Sequence, residues 1–368
     1  MKRILYIVST LKRCGPNNQL SYILKYLDKS SYLPIVLTLS EEHEGDSIKE
    51  YFIDDLSVRV ETLRLSRIAG FFLAKKNLKK FIKENKIDLV HSQGLRADGL
   101  VGGLKIPKVA TLRNYPFYDY PMTYGKIKGY LMAKLHLNYL KRIDEARVVS
   151  LSISNLLKEN NNYEIDHVQN GTDLDRFMSL EKKSLRKRLD IDIDKRIFIS
   201  VGDLTSRKEP LLIIKAFKKA NLENSKLIFL GNGPLFDVCN KEISSFKNIE
   251  LVGKVANVHQ YLGASDYFIS ASLAEGLPNT VLEAMACGLP CILSNIPPHK
   301  EIAQLNIKSS LFFEKTDIKG LTQKLNTLKN EDYEVMSEAS KKIIHGYLSA
   351  ELMSNNYQSI YSSLLGGK

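Results

Sequence analysis

Two glutamates stand eight positions apart in residues 275–288, EGLPNTVLEAMACG, and their type and spacing could serve chemistry. Glu275 begins a turn of Gly, Leu, Pro and Asn, whereas Glu283 lies among aliphatic residues that make the following helix apolar on nearly every side. The pattern predicts a buried helix that ends at Gly288. Because an ionised carboxylate on a buried helix is costly unless a polar group meets it, Glu283 requires a hydrogen-bonding partner.

The spacing allows two interpretations of Glu283. In the first, Thr280 and Glu283 form a capping box, in which the glutamate accepts a hydrogen bond from a backbone N–H at the helix start. On spacing alone this is the commoner case. In the second, Glu283 meets a ligand, because a strand, a turn and a helix N-terminus follow one another as they do around the ligand crevice of open α/β sheets. The capping box leaves Glu275 and the turn unexplained.

The segment resembles the E-x7-E signature of the retaining, nucleotide-sugar-dependent glycosyltransferases of family four, which have the GT-B fold. The resemblance covers most of the chain and is strongest from about His167 to Pro298. It implies that Glu275 faces the hydroxyl groups of the donor sugar, that Glu283 binds the nucleotide ribose, and that the backbone of residues 277–279 closes on the sugar. The donor-binding residues that it implies between the two glutamates are Gly276, Leu277, Pro278, Asn279 and Thr280.

Two cations follow another predicted strand, in residues 202–210, GDLTSRKEP. Arg207 and Lys208 stand beside a helix N-terminus, where the helix dipole prefers anions, and a bound diphosphate would make this arrangement favourable. The alternative is a pair of exposed basic residues offset by Glu209, and the residues alone do not decide between the two. The resemblance implies that Arg207 and Lys208 contact the donor diphosphate and stabilise it as it leaves. With Glu275, they are the predicted catalytic residues.

Two weaker patterns also follow predicted strands. Residues 231–234, GNGP, resemble the family's Gly-x-Gly-Pro turn, and Val252 lies in a segment that resembles the part of the family that meets the nucleobase. Both patterns are also ordinary strand ends. The turn half-matches a dinucleotide fingerprint, but Phe236 stands where the third glycine belongs, which disfavours a dehydrogenase. On the resemblance, Gly233 and Val252 are predicted to bind the donor.

The loop after the first predicted strand departs from the family pattern. Relatives carry a double glycine there, whereas this chain has Gly15 followed by Pro16, which removes one backbone N–H donor. A loop before a helix N-terminus can still approach the sugar phosphate. Gly15 is therefore predicted to bind the donor and Asn17 to position the acceptor.

A second departure concerns a strand end at which many relatives have a histidine and this chain has Arg113. Arginine cannot act as a base near neutral pH, but it can bind a phosphate or a carboxylate. His91 ends another predicted strand, although a lone histidine there is more often a structural hydrogen bonder. Arg113 and His91 are predicted to position the acceptor.

Predicted strands alternate with helical patterns, which favours an α/β protein with parallel sheets. The strands are expected at residues 4–9, 35–39, 58–65, 89–92, 109–112, 148–153, 197–201, 227–230, 250–252, 267–270 and 291–293, and the first-half helices at 20–27, 71–84, 124–140 and 154–159. A chain of 368 residues suits two domains. With the resemblance, we expect a GT-B fold of two Rossmann-like domains that face each other across a cleft. Residues 1–175 would bind the acceptor, residues 176–348 would bind the donor, and a helix in residues 349–368 would pack back toward the first domain.

The chain is basic, with a formal net charge of +12. The positive residues are spread along helices without a nucleic-acid signature, so we expect no nucleic-acid partner. An anionic membrane surface or a phosphorylated substrate explains the charge as well. Residues 124–142 mix lysines with apolar residues, which suits a helix on a membrane surface; a core-packed helix with snorkelling lysines is favoured.

Composition also bounds the compartment and the cofactors. No run of about 18 apolar residues is present, so no membrane-spanning helix is predicted. Four cysteines lack metal or redox spacing and indicate a reducing cytoplasm, and seven scattered histidines suggest no metal site. We expect a metal-independent protein without a cofactor, in the cytoplasm and in peripheral contact with the inner face of the cell membrane.

The resemblance implies an enzyme that moves a sugar, with retention, from a nucleoside-diphosphate sugar to an acceptor. A UDP-sugar is the first choice of donor, and the acceptor is a saccharide or lipid-linked saccharide of a bacterial surface polysaccharide. Two alternatives stay open: a nucleotide-sugar epimerase or hydrolase on the same fold, and a non-catalytic saccharide-binding scaffold. The four residues that argue against the scaffold are Arg207, Lys208, Glu275 and Glu283.

Overall fold

Two structural units divide the chain in the computed structural model, which describes residues 1–42, 45–63, 70–177, 181–328 and 330–366. The first unit consists of Met1–Gly171 and Ala350–Lys368, and the second of Thr172–Ser349. Each unit is built on a six-stranded parallel sheet with helices. The predicted α/β fold class is therefore confirmed.

The sheet of the first unit has the strand order β3-β2-β1-β4-β5-β6. Its strands are β1 (Lys2–Val8), β2 (Tyr32–Thr38), β3 (Arg59–Thr62), β4 (Leu89–Gln93), β5 (Lys108–Leu112) and β6 (Glu145–Val148). The run Ile4–Val8 is buried throughout. Such continuous apolar runs arise because helices cover both faces of a parallel sheet.

Helices α1 to α5 lie between these strands along the chain, and α6 follows β6. They are α1 (Gly15–Lys25), α2 (Gly70–Glu84), α3 (Leu95–Val101), α4 (Pro116–Tyr124), α5 (Lys126–Leu140) and α6 (Leu151–Asn161), with a π-helical turn at Tyr51–Asp55. The predicted helix 124–140 is interrupted at Gly125, whose φ of +86° separates the end of α4 from α5. The predicted strand 148–153 is wrong beyond Val148. Ser150 instead caps α6 by accepting a hydrogen bond from the backbone N–H of Ile153 at 3.2 Å.

The second unit repeats this plan with the strand order β12-β11-β10-β7-β8-β9. Its strands are β7 (Arg196–Val201), β8 (Ser225–Leu230), β9 (Ile249–Gly253), β10 (Tyr267–Ser270), β11 (Cys291–Ser294) and β12 (Ser310–Phe313). β12 is not among the predicted strands, and residues 64 and 65 of the predicted strand 58–65 lie outside the described residues. The chain extends this sheet to one side from β7 to β9 and returns to the other side with β10. Ligand crevices of open α/β sheets form where the strand order reverses in this way.

The remaining helices surround this second sheet and end the chain. They are α7 (Leu174–Phe177), α8 (Lys182–Arg188), α9 (Pro210–Ala220), α10 (Phe236–Ile243), α11 (Val258–Ala264), α12 (Asn279–Ala286), α13 (Pro297–Ala303), α14 (Ile318–Asn326), α15 (Asn330–Tyr347) and α16 (Ala350–Gly366), with 3-10 turns at Ser206–Lys208 and Ile307–Ser309. The last helix, α16, belongs to the first unit, where it packs on α1. Among the described residues, no helix combines the length and apolar character that crossing a membrane requires.

Candidate active site

The basic loop after β7 and the acidic loop after β10 meet at the carboxyl edge of the second sheet, because β7 and β10 are neighbouring strands. Lys208 Nζ lies 2.5 Å from Glu275 Oε1, and Arg207 Nη1 lies 2.9 Å from Glu275 Oε2. The backbone holds the two loops together as well. Arg207 Nη1 donates to the carbonyl of Ala274 at 2.7 Å, and the N–H of Leu273 donates to the carbonyl of Arg207 at 2.8 Å. The structure thus brings the three predicted catalytic residues together.

Glu275 is ionised in this arrangement. Burial opposes its ionisation, but the charges of Lys208 and Arg207, with hydrogen bonds from Lys208 and Ser272, outweigh burial and lower the pKa of Glu275 to about 2. Two cations and one carboxylate leave a net charge of +1. Both cations contact Glu275, and their side chains are only 30% and 19% exposed, so the interpretation of Arg207 and Lys208 as an exposed pair is wrong.

Two glycines after β8 position the basic loop. A Cβ at Gly231 would lie 2.0 Å from the carbonyl oxygen of Gly202, and a Cβ at Gly233 would lie 2.7 Å from the carbonyl oxygen of Leu204. This close approach lets the Leu204 N–H donate to the carbonyl of Asn232 at 3.0 Å. Only glycine fits the first of these positions, where φ is also +140°. The predicted GNGP turn is therefore the support of the loop that carries Arg207 and Lys208.

Val252 lies at the end of the edge strand β9, next to this turn. The N–H of Gly231 donates to the carbonyl of Gly253, the residue after Val252, at 2.8 Å. Val252 is half-buried. The structure places Val252 at the same edge of the sheet as the basic loop, on the side away from β10.

The five predicted donor-binding residues between the two glutamates lie at the junction of the loop after β10 with the first turn of α12. Gly276, Leu277 and Pro278 are buried, whereas Asn279 and Thr280 are half-buried. Pro278 is the N-cap residue of α12, and no side chain caps this helix. These residues lie beside Glu275 at a helix N-terminus, which is a suitable place for an anionic group.

The capping-box interpretation of Glu283 is wrong. Because α12 begins at Asn279 with Pro278 as its N-cap, Thr280 is already inside the helix and Glu283 lies in the second turn. Glu283 is only 8% exposed. Burial raises the pKa of Glu283 to about 7, although the charge of Arg176 in α7 lowers it in part. A buried carboxyl group of this kind gains from a ligand that supplies hydrogen bonds.

Sequence reasoning missed a row of polar side chains behind Glu275. Ser272, which hydrogen-bonds Glu275, lies 3.3 Å from the hydroxyl of Ser270. His299 Nε2 lies 3.4 Å from Ser270, and His299 Nδ1 lies 2.9 Å from the carbonyl oxygen of Ser294. Burial lowers the pKa of His299 to about 4, so its imidazole is neutral. The signal for this row is the Ser-x-Ser pattern at the end of β10, which a single sequence does not separate from an ordinary strand end.

Arg113 lies just after β5 in the first unit and is half-buried. Its Nη1 donates to Asn170 Oδ1 at 2.9 Å, and its Nη2 donates to Gln93 Oε1 at 2.9 Å. Among the described residues, no carboxylate is a hydrogen-bond or ion-pair partner of Arg113. Burial lowers the pKa of Arg113 from its ordinary value. The amide nitrogen of Gln93 is buried and lacks a hydrogen-bond partner in the described part of the chain, so donors outnumber acceptors here.

His91 lies in the core of the first unit, which contradicts the prediction that it positions the acceptor. It is fully buried within β4. Its Nδ1 lies 2.7 Å from the hydroxyl of Tyr361 in α16, and its Nε2 lies 2.8 Å from Thr111 Oγ1. Burial lowers the pKa of His91 to about 3. The alternative of a structural hydrogen bonder is therefore the one that the structure supports.

Asn17 is also structural. It is 6% exposed, and its Nδ2 donates to the carbonyls of Thr10 at 3.0 Å and Lys12 at 2.7 Å, which fixes the loop after β1. The amide nitrogen of Asn17 is thus committed to this loop, and its role in positioning the acceptor stays a prediction. Gly15 begins α1 at the carboxyl end of β1, and no side chain caps that helix.

Two family models match consecutive parts of the chain. Glycosyltransferase Family 4 matches residues 15–176, and Glycosyl transferases group 1 matches residues 181–344. The chain is 25% identical to "O-antigen biosynthesis glycosyltransferase WclY" of Escherichia coli over 98% of both chains. It is 26% identical to "UDP-Gal:alpha-D-GlcNAc-diphosphoundecaprenol alpha-1,3-galactosyltransferase" of Escherichia coli over 83% of this chain and 82% of that protein.

The fold is similar to that of solved glycosyltransferases. The crystal structure of Anabaena Alr3699/HepE in complex with UDP and glucose superposes with a TM-score of 0.83 at 16% identity, covering 99% of this chain and all of that chain. The two matched ranges correspond to the two structural units, each with its own parallel sheet. The protein is therefore a GT-B glycosyltransferase, with a family 4 domain followed by a group 1 domain.

Proposed function

We propose that this glycosyltransferase moves a sugar, with retention of configuration, from a UDP-sugar to a saccharide or lipid-linked saccharide acceptor of a bacterial surface polysaccharide. The observation that carries the proposal is the contact of Arg207 and Lys208 with Glu275 beside the N-terminus of α12. The buried Glu283 follows Glu275 by eight positions and lies within α12. The Anabaena structure contains UDP and glucose, and the second Escherichia coli relative is named for a UDP-sugar donor and a lipid diphosphate acceptor. These names support the choice of donor and acceptor.

The donor occupies the second unit in this proposal. The diphosphate lies against Arg207 and Lys208, whose net positive charge with Glu275 suits a group that gains negative charge as the sugar leaves. Because Glu275 already fixes both cations, little reorganisation is needed during the reaction. The ribose hydroxyls donate to Glu283, which supplies the polar partner that this buried carboxyl group requires. The turn at Gly233 supports the basic loop, and Val252 lies toward the nucleobase.

Glu275 orients the donor sugar and does not remove a proton. A carboxylate with a pKa of about 2 is a weak base, so it is poorly suited to general base catalysis near neutral pH. Retention on the same face needs no dedicated base, because the departing phosphate oxygen accepts the proton of the acceptor hydroxyl. The low pKa of Glu275 supports this form of the mechanism. The reaction is proposed to proceed without a metal ion.

The acceptor occupies the first unit, at the carboxyl edge of β1, β4 and β5. Arg113 has only neutral partners among the described residues, and a phosphate or carboxylate on the acceptor balances its charge. The uncapped N-terminus of α1 at Gly15 favours an anion at the same edge. A lipid-linked diphosphate acceptor supplies such a group, and we place the enzyme at the inner, cytoplasmic face of the cell membrane.

A thermal unfolding screen tests the donor site. Purified protein is heated with UDP-, GDP-, ADP- and CMP-sugars in the presence of a metal chelator. The proposal expects the UDP series to raise the melting temperature. A flat response to all four series would refute the nucleotide site, and a response to another base would refute the choice of UDP.

Two variants separate the roles of the two glutamates. Glu283→Ala is expected to weaken UDP binding, whereas Glu275→Ala is expected to keep UDP affinity and abolish sugar transfer. Calorimetric titration with UDP and a transfer assay with radiolabelled UDP-sugar measure the two effects. Equal loss of UDP affinity in both variants would contradict the division of roles.

A further inference from the structure

The helix pair α4–α5 carries an outer face of exposed apolar side chains, and we propose that this face docks on an anionic lipid bilayer. Helix α5 has two distinct sides. Its buried side consists of Gly129, Ala133, His136, Leu137 and Leu140. On its other side Ile127, Leu131 and Leu135 follow one another at a spacing of four residues and are 82%, 61% and 43% exposed.

Helix α4 and the start of α5 extend this surface. The further exposed apolar side chains are Tyr118, Met122, Tyr124 and Tyr130, each about half exposed. Together with the three aliphatic residues of α5 they form what we name the apolar face. Apolar side chains that are exposed singly need no explanation, but a group gathered on one helix pair indicates an interaction site.

The charge around the apolar face identifies its partner. Residues 116–143, which span α4 and α5, contain one carboxylate, Asp119, and the five cations Lys126, Lys128, Lys134, Lys141 and Arg142. Lys134 Nζ lies 4.8 Å from the centre of the Tyr130 ring, and Lys128 Nζ lies 5.7 Å from that of Tyr124. The cations therefore lie directly beside the apolar side chains.

An anionic bilayer matches both properties. Aliphatic side chains enter the acyl boundary, tyrosines lie at the headgroup level, and lysines reach lipid phosphates. A second copy of the chain fits less well, because a symmetric contact would bring the same cations together and like charges across an interface repel.

A buried network holds the apolar face to the first sheet. His136 Nε2 lies 2.7 Å from Asp98 Oδ2, and His136 Nδ1 lies 2.7 Å from the hydroxyl of Tyr120 in α4. Asp98 also accepts a hydrogen bond from Ser92 of β4 at 2.6 Å. A Cβ at Gly129 would lie 2.3 Å from the backbone of α4, so the two helices are in direct contact. The face is thus presented by a packed helix pair.

This inference deepens the proposed function and rests on it only for the lipid-linked nature of the acceptor. An acceptor anchored in a bilayer is reached more readily by an enzyme that lies on the same surface. The exposure and charge of α4–α5 hold whether or not the proposed sugar transfer is correct, and the experiment below measures binding without transfer.

Vesicle flotation tests the proposal with the full chain. Vesicles consist of phosphatidylcholine alone, or of phosphatidylcholine and phosphatidylglycerol in equal parts. The apolar variant combines Ile127→Gln with Leu131→Gln, and the basic variant combines Lys128→Gln, Lys134→Gln and Lys141→Gln. All five side chains are exposed, so both variants are expected to keep the melting temperature of the wild type.

Matched controls carry the same chemical changes elsewhere. Ile307→Gln alters an apolar side chain that is 79% exposed in the second unit. Lys76→Gln, Lys79→Gln and Lys80→Gln remove the same charge from the exposed side of α2. These controls distinguish a loss of vesicle affinity caused by changing the apolar face from one caused by any change in net charge or surface hydrophobicity.

The wild type is expected to float with phosphatidylglycerol vesicles and not with phosphatidylcholine alone. The apolar and basic variants are each expected to lose at least about tenfold in vesicle affinity, and the controls to change little. Absence of binding to phosphatidylglycerol vesicles overturns the proposal, as does equal loss in the lysine control. A wild-type dimer that the apolar variant abolishes, without vesicle binding, assigns the face to a second copy instead. Vesicle binding that persists without UDP binding refutes the proposed function alone.

Discussion

Replacing Glu283 by glutamine should make the ligand-free protein more stable at alkaline pH. Burial raises the pKa of Glu283 from 4.5 to about 7 in the folded chain. The folded state therefore holds a proton between these values that the unfolded chain has released, and the stability of the wild type falls as pH rises through this range. At about 1.4 kcal/mol for each pH unit, the loss amounts to about 3 kcal/mol. Glutamine does not ionise, so Glu283→Gln avoids this loss.

Urea unfolding at about pH 5 and about pH 8 measures the effect. Circular dichroism follows the transition, because the chain has no tryptophan. The variant should exceed the wild type by less than about 1 kcal/mol near pH 5 and by about 3 kcal/mol near pH 8. Glu334→Gln, which alters an exposed carboxylate of the same unit, is the control and should show no such pH dependence.

The same variant should bind UDP less tightly, by about tenfold, because an amide accepts a weaker hydrogen bond from ribose than a carboxylate does. Greater stability with weaker binding is the expected pair of results. A variant that is less stable than the wild type at pH 8, or that differs by the same amount at both pH values, would refute the reasoning about burial.

Three further variants follow from the structure. Lys208→Met should lower the rate of sugar transfer roughly a hundredfold, whereas Lys215→Met on the exposed side of α9 should not. If the two variants transfer sugar at the same rate, Lys208 has no role in the reaction. Gly231→Ala should destabilise the protein by about 1–3 kcal/mol in urea unfolding, because its Cβ would lie 2.0 Å from a backbone oxygen. Gly346→Ala is the control: its Cβ would have open space, so the free energy of unfolding should stay the same or rise slightly. If Gly231→Ala also left the free energy of unfolding unchanged, the close packing of Gly231 would be contradicted. Arg113→Gln should raise the KM for an anionic acceptor tenfold or more without changing UDP affinity, and an unchanged KM would place the acceptor elsewhere.

The alternation of apolar strands and helical patterns was enough to predict two parallel α/β units, since both faces of each sheet must be covered. It could also predict that residues after neighbouring strands meet. Which strands are neighbours depends on the sheet order, and this is why the contact of Lys208 with Glu275 is a structural finding. The capping-box interpretation of Glu283 stayed open because Pro278 and Thr280 can both precede a helix, and only the backbone decides between them.

Contacts between distant parts of the chain limited the predictions in the first unit. His91 was predicted at an acceptor site because nothing near it in the sequence reveals that Tyr361 covers it from α16. Residues 124–142 were predicted to form a core-packed helix with snorkelling lysines, without a statement of which side is buried. The side of α5 that packs contains Gly129 and Ala133, which permit close contact, and periodicity alone does not identify this side.

The return of α16 to the first unit has a consequence for the order of folding during synthesis. Tyr357 and Tyr361 are fully buried and pack against His91, with ring centres 5.0 and 5.8 Å apart. Residues 172–349 form one continuous segment, whereas the first unit consists of two segments, 1–171 and 350–368, that the second unit separates. The second unit can therefore fold from one uninterrupted stretch of chain, whereas the first cannot complete its core until α16 has been synthesised. The N-terminal segment is thus synthesised first but depends for its folding on the last helix described.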